Sequence, residues 1–292
     1  MIVRQPAASQ FYAGDCARAT DRFLRGFTPP EQPGHIVAGI VPHAGWDYSG
    51  AVAAHAFESI RRKSRPTTFI FFGTAHRWTG GNAVYARGAW ATPLGEIAVD
   101  EELAAQILVG SNGLASENPA AHDGEHAIEV ELPFVKYLFP DAKIVPISVS
   151  PGGSAVPFGQ SVGGLVKKSA RPIAIIGSTD LTHYGEAYRF TPAGCGDRAR
   201  EWMRANDARI LRLAERMKAT EIVPEALKHH NACGPGAFAA TVAAASVLGA
   251  ERGYLLDYTT SFDVAPVEED VEQYGGEDPE FRMAVGYAGI LY

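Results

Sequence analysis

Cysteine is scarce in this chain of 292 residues: Cys16, Cys195 and Cys233 are three, odd in number and far apart. They form no CxxC pair. Neither a disulfide framework nor a zinc ribbon is therefore indicated, and a reducing cytoplasmic compartment is the expected setting. Long apolar runs are missing too. No stretch approaches the ~20 residues needed to span a bilayer, and Met1-Ile-Val-Arg-Gln-Pro-Ala has no apolar centre of the secretory kind. No membrane partner is expected. Basic charge is not in excess, with 26 Lys and Arg against 33 Asp and Glu and a net charge of −7. That balance argues against duplex nucleic acid, whose phosphates demand a basic face, but it leaves room for a small anionic substrate held by a few arginines. Internal repeats and low-complexity linkers are absent. So are a GxSxG elbow, a Walker A loop, a GxGxxG after the first strand and an HExxH helix, which removes the common hydrolase, P-loop, dinucleotide and zincin readings.

What is present is a large apolar fraction, 46%, arranged in continuous rather than alternating runs. Runs of that kind mark strands buried on both faces. The candidates are residues 36–41, 68–72, 144–149, 173–176, 254–259 and 284–291. Helical patterns lie between them, at residues 15–27 (capped by Asp15), 49–62, 100–109, 129–138, 156–168, 197–218, 224–229 and 235–248. The alternation predicts a three-layer α/β/α sandwich with a largely parallel central sheet, expected as one domain over residues 1–292. The acidic segment 268–279 reads as solvated surface before the last strand.

Polar motifs punctuate this frame. His43 follows the first strand in Pro42-His-Ala-Gly45, and His76 follows the second in Gly73-Thr-Ala-His76. Asp180 and His183 follow the fourth in Ser178-Thr-Asp-Leu-Thr-His-Tyr-Gly185, and Cys233 directly precedes a small-residue helix. In an open α/β sheet the carboxyl ends of the strands form the ligand site, so these motifs converge. A lone strand-end histidine is as readily a turn or core residue. Two imidazoles from neighbouring strand ends make a grip on Fe, Cu, Zn or Ni comparable with the reading of unrelated loop histidines. Cys233, near a helix start that favours thiolate, is either the third donor or an inert buried cysteine, with His229 and His230 as competing donors. Asp180 and His183 suit an orienting carboxylate and a proton shuttle, or else a helix cap beside an exposed histidine. The stretch His122-Asp-Gly-Glu-His-Ala-Ile-Glu129 either contributes a catalytic His126 or is a solvated cap. Nucleophilic catalysis by Cys233 with His183 or His126 stays open. Trp46, Tyr48, Trp78 and Tyr184 near these motifs suit an aromatic substrate or a peptide side chain, and equally suit packing.

Together these segments, with Pro6-Ala-Ala-Ser-Gln-Phe-Tyr12, Asp123-Gly-Glu-His-Ala-Ile-Glu-Val-Glu-Leu-Pro-Phe134 and Asn231-Ala-Cys-Gly234, resemble the MEMO family. That family includes bacterial proteins labelled AmmeMemoRadiSam system protein B. It looks like a relative of the class III extradiol dioxygenases, which open catechol rings with non-haem Fe(II). The resemblance implies the fold of those enzymes. It implies His43, His76 and Cys233 as metal ligands, Cys233 standing where the dioxygenases have a glutamate. His183 takes the acid/base position, with Asp180 and His126 in the same cleft. It implies Fe(II), with copper or zinc as alternatives, and a small substrate. The alternative is a non-enzymatic copper or iron module that recognises a peptide or protein. The chain departs from the family pattern at Thr74, where proline is usual, and at Gly124 and Ala127, where aspartate and serine are usual.

Overall fold

The computed structural model describes residues 2–264 and 281–292, so the acidic segment 268–279 lies outside the described residues. In chain order the first half runs β1 (Val3–Arg4), α1 (Cys16–Leu24), β2 (Ala38–Val41), α2 (Trp46–Lys63), β3 (Thr68–Thr74), β4 (Asn82–Val84), β5 (Ala89–Thr92), β6 (Gly95–Ala98), α3 (Glu101–Gly110) and β7 (Ala115–Glu117). The second half runs α4 (Leu132–Leu138), β8 (Lys143–Val149), α5 (Ala155–Lys168), β9 (Ile173–Ser178), β10 (His183–Tyr184), α6 (Asp197–Glu215), α7 (Ala219–His229), α8 (Pro235–Leu248), β11 (Tyr254–Thr260), α9 (Ser261–Val264) and β12 (Ala284–Leu291).

The main sheet has the order β10-β12-β2-β9-β3-β8-β4-β7, with β11 also paired to β12. Its centre, β2-β9-β3-β8, is parallel, and antiparallel partners flank it. Period-two side-chain direction explains the continuous apolar runs. Ile70 and Phe72 of β3 pack with Phe158 of α5 and Phe238 of α8 on one face. Phe69 and Phe71 pack with Phe57 of α2 and Phe134 of α4 on the other. Each of these buried phenylalanines contributes roughly 1.5–3 kcal/mol. With helices on both faces, the molecule is the expected α/β/α sandwich.

The close seam lies between α5 and α8. A Cβ on Gly159 would meet the Ala240 carbonyl at 2.1 Å, and one on Gly163 the Ala244 carbonyl at 2.8 Å. Small residues here let α8, buried on nearly every side, lie against α5. A separate sheet, β1-β5-β6, ties the N-terminus down. Its short, partly exposed strands carry no long apolar run, which is why the sequence pattern did not predict them.

Several boundaries differ from expectation for identifiable reasons. α1 ends at Leu24, and Phe27 instead stacks flat on His55 at 4.0 Å. α2 starts at Trp46, because Gly45 serves as its N-cap. α7 begins at Ala219 and accommodates Pro224 near its first turns, losing one backbone donor there. His183 and Tyr184 form a short strand against Val285 and Ala284. Strands β3 and β9 run two residues past their predicted ends, to Thr74 and Ser178. The register sets Val41, Ser178 and Gly73 side by side, so the central strands finish at one level.

Candidate metal centre

Because those strands end together, the residues just beyond them meet. His43, His76 and Asp180 each lie two residues past the end of β2, β3 and β9. Cys233 arrives from the turn between α7 and α8, where its N–H donates to the Asp180 carbonyl (3.1 Å) and the Gly234 N–H donates to Thr179 Oγ1 (2.9 Å). One ligand atom each from His43, His76 and Cys233 lies within 4.8 Å of the others. His43 Nε2 is 3.3 Å from Cys233 Sγ, and the Asp180 N–H donates to that sulfur at 3.3 Å. Two imidazoles and a sulfur form a donor set that fits Fe(II), copper or zinc.

The other ring nitrogen of each histidine is held from behind. His43 Nδ1 pairs with Ser178 Oγ at 2.8 Å, and Ser178 Oγ donates onward to the Ala127 carbonyl. His76 Nδ1 pairs with Glu125 Oε1 at 2.9 Å, while the His76 N–H donates to Oε2 at 3.0 Å. Such partners fix the tautomer and aim the free nitrogen at a metal. His76, Glu125 and His126 form a second group of closely spaced donor atoms. The Glu125 carboxylate is already engaged there by His76 and by the N–H groups of His126 and Ala127. The two departures from the family pattern near the ligands are structural. Thr74 Oγ1 donates to the Ser178 carbonyl (2.9 Å), and a Cβ on Gly234 would fall 2.0 Å from Thr74 Oγ1. Ala127 contributes its carbonyl to Ser178 and needs no hydroxyl.

Charge in the cluster is mutually supported. Burial opposes ionisation of Cys233, but the His43 and His76 imidazoles outweigh it and bring the thiol down to about 6. Burial likewise opposes the charge on His76, yet the Cys233 sulfur and the Glu125 carboxylate lift it to about 10. Burial holds His43 neutral, below its ordinary range, against the pull of Cys233. Burial and then the charge on His76 push His126 down to about 4. Asp180 accepts from the His43 N–H at 2.7 Å, and burial raises its pKa. Near it Glu131 is fully buried with neither oxygen hydrogen-bonded; burial and then the charge of Asp180 raise its pKa well above the ordinary carboxyl range.

A cavity of about 390 Å³ opens over the cluster. His43, His76, His126, Asp180 and His183 line its polar side, and Phe11, Tyr48, Tyr188 and Tyr287 supply aromatic walls. The structure thus brings together every expected ligand and proton carrier, along with Tyr48. Trp46 and Tyr184 stand elsewhere. The Trp46 ring stacks on Phe134 at 3.9 Å and its Nε1 donates to the Val130 carbonyl, so it belongs to the core. Tyr184 is buried among Trp202 and Phe281, with its hydroxyl donating to the Gly194 carbonyl. The sequence reading assigned no role to Ser178 as an orienting group, to Glu131 or to Tyr188. Ser178 and Glu131 lie within the motifs that carry the family resemblance, which was the available signal; Tyr188 lies outside them.

Fold and site together define an α/β protein with a His-His-Cys cluster at the carboxyl edge of a parallel sheet. The family profile described as Memo-like protein matches residues 4–277. The chain is 35% identical to a MEMO1 family protein of Thermococcus onnurineus, over 100% of this chain and 99% of that one. It is 35% identical to a counterpart in Pyrococcus furiosus, with the same coverage, and 34% identical to one in Methanothermobacter thermautotrophicus, over 94% and 99%. This chain belongs to the MEMO family. Among solved structures, an uncharacterized protein from Escherichia coli K12 shares the fold with a TM-score of 0.52 and 12% identity, over 86% of this chain and 99% of that one. Among the described residues no helix is long and apolar enough to cross a membrane.

Proposed function

We propose that this chain is a mononuclear metalloenzyme, an Fe(II)-dependent oxygenase or redox enzyme acting on a small, phenol-like substrate. The observation that carries this reading is the convergence of His43, His76 and Cys233 donor atoms within 4.8 Å, under a cavity that also presents His183 and Asp180. When bound, the metal supplies redox chemistry and a Lewis-acidic anchor for substrate oxygen. The remaining work falls to this chain's residues. Ser178 and Glu125 hold the two imidazoles in one tautomer and one orientation. His183 Nδ1 bonds the Leu181 carbonyl at 3.1 Å, which leaves Nε2 to take a proton from a substrate hydroxyl and later return it. Asp180 accepts the His43 N–H and fixes the strand end beneath the substrate. Phe11, Tyr48, Tyr188 and Tyr287 form walls suited to an aromatic ring.

One observation favours a second reading. A sulfur ligand is softer than the carboxylate of a ring-cleaving dioxygenase, and the Cys233 thiol is brought down to about 6, burial notwithstanding, by its imidazole neighbours. That chemistry suits copper or iron held for redox control without substrate turnover.

Anaerobic purification with metal analysis, followed by oxygen uptake on catechols and related phenols, separates the readings. The oxygenase predicts uptake that His183→Ala abolishes while metal stays bound. Metal retained with no uptake on any phenol favours the redox module. Unchanged metal content in both His43→Ala and Cys233→Ser would sink the site itself.

A further inference from the structure

A second cavity, of about 510 Å³, adjoins the first and shares its His183 and Tyr188 walls. We infer that it is a binding site for a small anionic ligand with an apolar body, held by Arg189 and His230 and reaching down to the Cys233 sulfur. Its volume falls in the range of small-molecule sites. Phe190, Leu227 and Pro235 give it an apolar wall, and among the described residues no aspartate or glutamate lines it, although the chain as a whole carries a charge of −7. Local positive charge in an acidic protein selects for an anion.

The backbone supplies an independent observation. Arg189 and His230 both sit in the left-handed region, at φ 54° and 52°. Arg189 closes a turn through its N–H to the Glu186 carbonyl (2.9 Å), and His230 ends α7 through its N–H to the Ala226 carbonyl (2.8 Å). Glycine would close either turn without the steric cost of a Cβ in that conformation. Strain of this kind collects where a side chain is needed for function. The Arg189 guanidinium pairs with no carboxylate among the described residues, so it is available to a ligand. The His230 ring meets Phe190 at 5.2 Å, joining the polar rim to the apolar wall. Neither His43 nor His76 lines this cavity, so its occupant approaches Cys233 from a side apart from the imidazoles and lies against His183. The site stands whether or not the first cavity is an oxygenase.

The probe is 8-anilinonaphthalene-1-sulfonate, an apolar anion whose fluorescence rises on binding, titrated into the purified protein. Arg189 and Leu227 are exposed, so Arg189→Gln and Leu227→Glu test the rim without disturbing the core. Each is expected to weaken probe binding about five- to tenfold, the scale of one lost or repelled charge contact. His126→Ala, which alters only the first cavity, is expected to leave it unchanged. Benzoate and phenyl phosphate should displace the probe while phenol does not, and the better competitor tells carboxylate from phosphate. The proposal is overturned by no probe binding, by equal affinity in wild type and Arg189→Gln, or by loss of binding in His126→Ala alone.

Discussion

Hydrogen bonds from the His76 N–H, His76 Nδ1, His126 N–H and Ala127 N–H converge on the Glu125 carboxylate. They outweigh the cost of burial and hold its pKa near 2, so the group is ionised throughout the working range. Its negative charge and its acceptor geometry both act on His76, and only the second is shared by an amide. Glu125→Gln removes the charge and turns one end into a donor that faces backbone N–H groups. Metal affinity is expected to fall about 10- to 100-fold, the usual consequence of losing an orienting partner. Titration against a competing chelator measures it. Affinity equal to wild type would mean that His76 is oriented by something other than Glu125. Glu131 offers the contrast. Burial raises its pKa well above the ordinary carboxyl range and neither oxygen is bonded, so Glu131→Gln breaks no hydrogen bond. At this scale the two proposed histidine ligands were legible in the sequence, because each sits in a short polar motif at the end of an apolar run, whereas Cys233 precedes a helix and entered the proposed set through the family resemblance. The groups that aim them were less so. Glu125 and His76 are 49 residues apart, and Ser178 and His43 are 135 apart, so their pairing depends on strand order.

Strand order is an element-scale property. The long central strands and most helices were legible because burial on both faces leaves continuous apolar runs, as in the seven buried residues of β3. The β1-β5-β6 sheet was not, since it is made of two- to four-residue strands. It nevertheless shapes the site. Arg4 of β1 donates to Glu129 (2.8 Å) and to the His122 and Glu125 carbonyls, which pins the loop that carries Glu125 and His126. The α5–α8 seam yields a paired prediction on one helix. A Cβ on Gly159 would run into backbone at 2.1 Å, whereas one on Gly164 meets nothing within 4 Å. Gly159→Ala should therefore destabilise by about 1–3 kcal/mol or more through overpacking. Gly164→Ala should be neutral or stabilising by up to about 1 kcal/mol through helix propensity. Urea unfolding compares them, and equal effects would show that the seam yields.

For the molecule as a whole, pH tests how burial is balanced against charge. His122 is completely buried; its Nε2 meets the Ala83 carbonyl at 3.1 Å and its Nδ1 has no partner. Burial, against a smaller pull from the Ala83 carbonyl, lowers its pKa from 6.5 to about 4. Between those values the unfolded chain binds a proton that the folded chain refuses, so stability falls as pH drops from 6.5 towards 4. The shift corresponds to roughly 3 kcal/mol across that window. His126, lowered to about 4, acts in the same direction. Asp207 acts in the opposite one. Burial, only partly offset by its bonds to Thr182 and Tyr258, raises it to about 6, so the fold gains from its protonation as pH falls through that value. Total stability therefore mixes opposing slopes, and a difference measurement isolates one group. His122→Gln keeps an N–H donor for the Ala83 carbonyl and removes the titration. Urea unfolding of both proteins at pH 7 and pH 4.5 should show wild type losing roughly 2–3 kcal/mol more than the variant between the two. Parallel losses would mean that His122 protonates within the fold, with water or a rearranged loop reaching its Nδ1.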